Sequence, residues 1–277
     1  MSPQSVKTFS VASLLILAAG AACAQATPAA PDAGTKPFPP TADALPITGN
    51  IGFTSNYVAR GFTQNWGKPA VQGGLDYAHP SGVYVGTWMS SLSGSEFRGG
   101  TIEWDLYAGY TGTAGPLGYT LGAVYYAYPG STSPFIEGRK YDYAEIKFGL
   151  SYSIYSLNYY HTATKDWFGT VPNGRGSGYV ELNVNPDLGA GYTLQLHAGA
   201  GAIKKNAYAN WKDYKVGLLK TFDGGWTLTG AVTKATDKNS YWTVADYAVN
   251  ASDDTSGYNY VKPLGKTQFA LTLGKTF

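Results

Sequence analysis

From Ile47 to Phe277 apolar and polar side chains alternate with a period of two. Ala144, Ile146, Phe148, Leu150 and Tyr152 are apolar, and Tyr143, Glu145, Lys147, Gly149 and Ser151 sit between them. Ile102, Trp104, Leu106, Ala108 and Tyr110 alternate in the same way with Glu103, Asp105, Tyr107 and Gly109, as do Tyr192, Leu194, Leu196, Ala198 and Ala200 with Thr193, Gln195, His197 and Gly199. Such alternation marks strands with one apolar and one polar face. It predicts twelve strands, over 47–59, 70–79, 82–91, 101–111, 118–128, 141–153, 154–163, 178–186, 190–202, 211–222, 225–236 and 265–277. Each is long enough to cross a bilayer at a tilt, which takes about 9–11 residues.

The connections alternate too. Short ones carry turn residues, as in His79-Pro80-Ser81-Gly82, Thr113-Ala114-Gly115-Pro116, Ser153-Ile154, Asn185 to Gly191 and Asp223-Gly224-Gly225. Longer ones fall between them, at 60–69, 92–100, 129–140, 164–177, 203–210 and 237–264. A soluble sandwich has no reason to gather its long loops at one end. An outer-membrane barrel has short periplasmic turns, long extracellular loops and an even strand number. The fold class expected is therefore all-β, a transmembrane antiparallel β-barrel of about 12 strands.

The direction of the faces follows from charge. A basic side chain on the lipid face near the midplane costs about 2–4 kcal/mol. The polar faces must then point inward, which places Arg60, Asp76, Glu103, Asp105, Glu145, Lys147, Glu181, His197 and Lys215 on the lumen. Tyr57, Tyr77, Trp104, Tyr110, Tyr119, Tyr125, Tyr152, Tyr155, Tyr192 and Trp226 fall on outward registers, many near strand ends, where amphipathic rings meet headgroups. Tyr126, Tyr143 and Trp88 face in. The loop 129–140, with Glu137, Arg139 and Lys140, is a candidate constriction loop. The outer loops are read as carrying more bases than acids, with Glu96, Asp166 and Asp213 among the acids.

Composition narrows the classes further. Charged residues make up 14% of the chain, the formal net charge is +2, and there are 36 Gly and 23 Tyr. That balance gives no electrostatic case for nucleic-acid binding. Abundant aromatics argue against disorder. Lys7, the apolar run Val11 to Ala19 and Ala24-Gln25-Ala26 form the three parts of a secretory signal peptide over 1–26. Gly20-Ala21-Ala22 ahead of Cys23 lacks the large apolar residue of a lipid-attachment site. Residues 27–46 hold six prolines and read as a periplasmic tether. The barrel is expected over 47–277. No metal, dinucleotide or phosphate-loop motif is present, and no cofactor is expected.

Two stretches carry a family resemblance. They are Ser55-Asn56-Tyr57-Val58-Ala59-Arg60-Gly61-Phe62-Thr63-Gln64 and the run from Pro69 to Trp88, followed by Glu103-Trp104-Asp105-Leu106-Tyr107-Ala108-Gly109-Tyr110. Together they resemble the TorF family of porin-like outer-membrane proteins. The family pattern reads Asp-Tyr-Arg-x-Arg-Gly in the first motif. Here Asn56 and Val58 replace the Asp and the first Arg, while Arg60-Gly61 is kept. The resemblance implies an outer-membrane barrel and names no substrate. The last strand ends in Phe277 after Phe269, Leu271 and Leu273, which resembles the signal read by the barrel assembly machinery.

The leading functional expectation is a passive channel for small hydrophilic solutes or ions, embedded among outer-membrane lipids. A second is a structural or adhesive barrel acting through loop 237–264, which holds Tyr241, Trp242, Tyr247, Tyr258 and Tyr260. A third is a lipid hydrolase built on one of three histidines, His79, His161 or His197, although none lies in a nucleophile motif. The inside–outside register is testable directly. Leu271→Arg is expected to impair membrane assembly, and Thr272→Arg to be better tolerated, in the fraction of protein that shows heat-modifiable migration; equal effects would mean that this inside–outside register is wrong.

Overall fold

The computed structural model describes residues 47–133, 138–169, 171–237, 241–245 and 261–277. The signal peptide read at 1–26 and the tether read at 27–46 lie outside the described residues, as do Glu137 and Tyr247, Tyr258 and Tyr260. Twelve strands form the barrel: β1 (Ile47–Thr54), β2 (Ala70–Ala78), β3 (Val83–Ser91), β4 (Ile102–Ala114), β5 (Leu117–Ala127), β6 (Tyr143–Tyr152), β7 (Tyr155–Thr162), β8 (Gly178–Val184), β9 (Tyr192–Ala202), β10 (Trp211–Thr221), β11 (Trp226–Asp237) and β12 (Gln268–Thr276).

Each strand pairs antiparallel with its neighbour in sequence. The sheet closes where β12 returns to β1, with Asn50 opposite Thr276 and Thr54 opposite Thr272. The β8–β9 seam runs without a break from Gly178 opposite Ala202 to Val184 opposite Leu196. Beyond the last strand, the Phe277 N–H donates to the Gly49 carbonyl at 2.9 Å, and the Gly49 N–H donates to the Phe277 carbonyl at 2.8 Å. Closure leaves no barrel edge, the condition for a sheet in hydrocarbon.

The exterior is apolar. Ile51, Phe53, Leu75, Val85, Leu121, Phe148, Val216, Val232, Phe269 and Leu271 are all exposed on the outer face. Among the expected outward aromatics, Tyr77, Trp104, Tyr110, Tyr119, Tyr125, Tyr152, Tyr155, Tyr192 and Trp226 are exposed. The chain therefore folds as an outer-membrane β-barrel, with greasy side chains turned toward lipid and polar ones turned inward. Tyr57 departs from this pattern and is buried at 1% exposure. The first strand stops at Thr54 instead of running to 59, and the next residues bend into the lumen.

Turn chemistry accounts for the short end. Gly115 has φ 61° and precedes Pro116 in a two-residue loop between Ala114 and Leu117. A positive φ followed by proline's fixed negative one suits a type II′ hairpin. Leu271 is outward and Thr272 is inward, as the alternation requires, but Thr272 is only 2% exposed and its hydroxyl donates to Thr54 Oγ1 at 2.8 Å. Arginine there would meet a packed wall. Thr120, half-buried on the lumen side beside exposed Leu121, is the better inward partner for the register comparison.

Candidate functional site

The segment that enters the barrel is 55–69. Asn65 Oδ1 accepts the Tyr57 N–H at 3.1 Å, and Asn56 Nδ2 donates to Gln268 Oε1 on β12 at 2.7 Å. The first bond closes the segment on itself, and the second ties its base to the wall. Its tip is a small hairpin, Val58–Ala59 paired with Phe62–Thr63. Arg60 and Gly61 are its two central residues, at φ 43° and 87°. Positive φ at both positions is the type I′ geometry that matches strand twist. A Cβ on Gly61 would lie 2.5 Å from the Asp213 Cβ and 2.7 Å from the Ala235 Cβ. The tip is thus pressed against β10 and β11, which explains why glycine follows Arg60.

The hairpin delivers Arg60 to Glu145 on β6. Arg60 Nη1 donates to Glu145 Oε1 at 3.2 Å, and Nη2 donates to Oε2 at 2.5 Å. Both side chains are almost wholly buried. The guanidinium also lies 4.9 Å from the Tyr160 ring centroid and 4.3 Å from that of Tyr179. A buried fork-to-fork pair is geometrically demanding, and loss of one partner strands a charge at about 3–5 kcal/mol.

Other lumen groups surround this pair. The Tyr57 and Tyr128 hydroxyls donate to the two oxygens of Glu103, each at 2.8 Å. Asp105 is 2% exposed, and its Oδ1 has no hydrogen-bond partner, as is true of Arg60 Nε. Glu181 accepts from Asn158 at 3.0 Å and Tyr160 at 3.4 Å. Lys147 is buried, with its ammonium 5.6 Å from the Tyr160 centroid. Asp76 and Lys215 are half-buried; the Tyr107 hydroxyl donates to Asp76 at 2.5 Å, and Lys215 donates to Gln195 at 3.5 Å. His197 contacts Asp213 through Nε2 and Asn183 through Nδ1, both at 2.8 Å. The Tyr179 hydroxyl is its further partner, at 3.1 Å from Nε2.

Asp213 does not sit in an outer loop. It is fully buried on β10, where it also accepts from the Trp211 indole at 3.1 Å. The alternation Trp211, Asp213, Lys215 carries that signal, because all three share one face. Glu96 leaves the loop acids as well: it is 5% exposed and accepts the Trp66 N–H at 3.2 Å. Burial raises its carboxyl well above the usual glutamate range; the Trp66 bond and the charge of Lys262 oppose this only in part. Arg139 lies at the mouth, paired with Asp166 at 2.9 Å, and Lys140 bridges to Thr132.

Aromatic rings fill the space above the pair. Phe62, Trp167, Trp211 and Trp242 form one group, with centroids 5.3 to 6.2 Å apart. Phe97, Tyr128, Tyr141 and Phe168 form a second, at 5.1 to 6.0 Å. Gly199 and Gly201 lie where a Cβ would collide with Tyr179 and Trp211, so missing side chains on β9 make room for rings. Both aromatic groups line a cavity of about 320 Å³, whose wall also includes Arg60, Gln64 and Glu96. Of its wall, the sequence singled out Tyr143, as an inward ring, and Tyr241 and Trp242, in loop 237–264; the vestibule as a whole was hidden because its rings come from segments far apart along the chain.

Comparison with known proteins agrees with this architecture. Residues 40–277 match a family described as a bacterial protein of unknown function (Gcw_chp). No match is found among curated proteins. Among solved structures, the NanC porin in a rhombohedral crystal form is similar at 10% identity and a TM-score of 0.50, over 83% of this chain and 98% of that one. The KdgM porin in complex with disordered oligogalacturonate covers the same shares at 7% identity and a TM-score of 0.49. OccAB4 of Acinetobacter baumannii is 11% identical over 81% of this chain and 56% of that one, with a TM-score of 0.38. The similarity to the NanC porin shows the barrel fold.

Two predictions follow from the hairpin and its neighbour. Gly61→Ala should destabilise the barrel by about 1–3 kcal/mol in urea unfolding, since it overpacks the tip against β10 and β11. Gly115→Ala is its control: φ is also positive there, but open space surrounds the added carbon, and only about 1 kcal/mol is expected. Glu96 makes the vestibule pH-dependent. The packed loop holds its proton more tightly than the open loop does, so the packed form loses stability as pH rises from the ordinary glutamate value toward the raised one. Proteolytic nicking of loop 92–101 should increase over that range, and Glu96→Gln should flatten the profile.

Proposed function

The chain belongs to the Gcw_chp family, and on that premise we propose that it is a constricted outer-membrane channel for small hydrophilic solutes or ions. The observation that carries this reading is a closed barrel, apolar outside, whose lumen is narrowed at one level by the inward hairpin and the Arg60–Glu145 pair. Below that level many inward residues are small or polar, among them Asn50, Gly74, Thr111, Thr120, Gly122, Ser156 and Asn158, with Tyr84 and Leu219 buried among them. Above it stand the aromatic rings. A charged ring of side chains at the narrowest point sets the selectivity of such a conduit. Carboxyl groups outnumber bases there, since Glu103, Asp105, Glu145, Glu181 and Asp213 face Arg60, Lys147 and His197.

The pore-lining roles of these residues, and of Asp76 and Lys215, belong to this proposal. So does the constriction role, which the geometry supports for Arg60 and Glu145; Arg139 and Lys140 then act at the mouth. Cleavage after Ala26, the 27–46 tether and recognition of Phe277 by the assembly machinery complete the reading, together with the TorF resemblance of the Arg60-Gly61 motif. The chain is read as a non-enzymatic channel, and no cofactor is invoked.

Planar-bilayer conductance of the refolded protein tests it. Discrete steps with a preference for cations are expected, and Arg60→Gln combined with Glu145→Gln should change step size with little effect on that preference, because the pair has no net charge. A folded but silent barrel would overturn the channel reading.

A further inference from the structure

The cavity at the outer end is not an ordinary core. Protein interiors pack to near-crystalline density and leave few voids larger than a water molecule. Here about 320 Å³ stays open between aromatic walls, a volume at the lower end of the range for small-molecule sites, about 300–1,000 Å³. Its chemistry is specific. Arg60 is the only base on its wall among the described residues, and both terminal nitrogens of that guanidinium are committed to Glu145.

Carboxyl groups stand directly behind three parts of the wall. Glu145 backs Arg60. Glu103 accepts from the hydroxyl of Tyr128 at 2.8 Å, and Asp213 accepts from the indole N–H of Trp211 at 3.1 Å. A ring that donates to a carboxylate is polarised by it, and its face becomes richer in electrons. Aromatic faces already attract cations through the ring quadrupole, tryptophan most strongly.

We propose that this vestibule binds an organic cation bearing a quaternary ammonium group. Such a group has no N–H to satisfy, so it suits a wall on which rings far outnumber polar side chains. A sugar would bring many hydroxyls that need partners, at a cost for each one left unpaired. An anion would find both terminal nitrogens of Arg60 already held by Glu145 and would face the carboxyl groups behind the wall. The proposal deepens the channel reading and rests on it for the fate of the bound cation. Binding itself needs only the folded vestibule.

The test uses full-length protein refolded in detergent and titrated calorimetrically with choline and with 3,3-dimethylbutan-1-ol, its uncharged isostere. Choline is expected to bind at least about tenfold more tightly. Trp242→Leu should weaken choline binding about tenfold, and Trp242→Phe should fall between it and the wild type. Equal affinity for choline and the isostere overturns the proposal, because it would mean size and apolarity alone. Absence of choline binding to protein that retains heat-modifiable migration overturns it too. Conductance of the same preparation separates the two readings. Steps without choline binding leave the channel and remove the cation site. Choline binding without steps leaves the site and removes the channel.

Discussion

A bilayer core offers a peptide group no hydrogen-bond partner, and the whole structure depends on that constraint. Every strand must be paired on both sides, so the sheet has to close. Closure here joins β12 to β1 and carries the ladder on past Thr276 to a reciprocal bond between Phe277 and Gly49. Once closed, the barrel sorts side chains by strand parity alone. The residues that would fill the core of a soluble protein, such as Leu121, Phe148 and Val216, lie on the outside.

The inside is therefore held by other means. Hydrogen bonds to buried carboxyl groups and contacts between rings replace aliphatic packing. Arg60 shows how they interlock. Its hairpin exists because Gly61 allows a primed turn, the turn fits because β10 and β11 leave no room for a side chain, and the guanidinium at the tip is neutralised by Glu145 across the lumen. The tyrosines around the pair have two functions. Tyr57 and Tyr128 satisfy Glu103, while Tyr160 and Tyr179 lend their faces to the guanidinium. One level thus provides both the narrowing of the lumen and the floor of the vestibule, which ties passage and recognition to the same few contacts.

Much of this was legible along the chain. The period-two pattern located all twelve strands, and the charge argument turned Glu103, Asp105, Glu145 and Lys147 inward, where they are buried. It failed where the chain leaves the barrel wall. Tyr57 follows the outward phase of a strand that has already ended at Thr54. Asp213 was read with the loops although it shares a face with Trp211 and Lys215, and Glu96 was read as a solvated loop acid although it is buried beside Trp66.

Sequence by itself determined the barrel and the direction of its faces, since each follows from local alternation and from the cost of charge in lipid, whereas closure of the sheet fixed the count of about twelve strands at twelve. The family resemblance also singled out Arg60-Gly61 as the part of its first motif that is kept. Only the tertiary structure decided that this dipeptide caps an inward hairpin, that Glu145 is its partner 85 residues away, and that rings from distant loops line a common cavity. The physical reason is separation. Alternation is a property of neighbours along the chain, whereas the lumen is made by side chains that meet only after the sheet has closed around them.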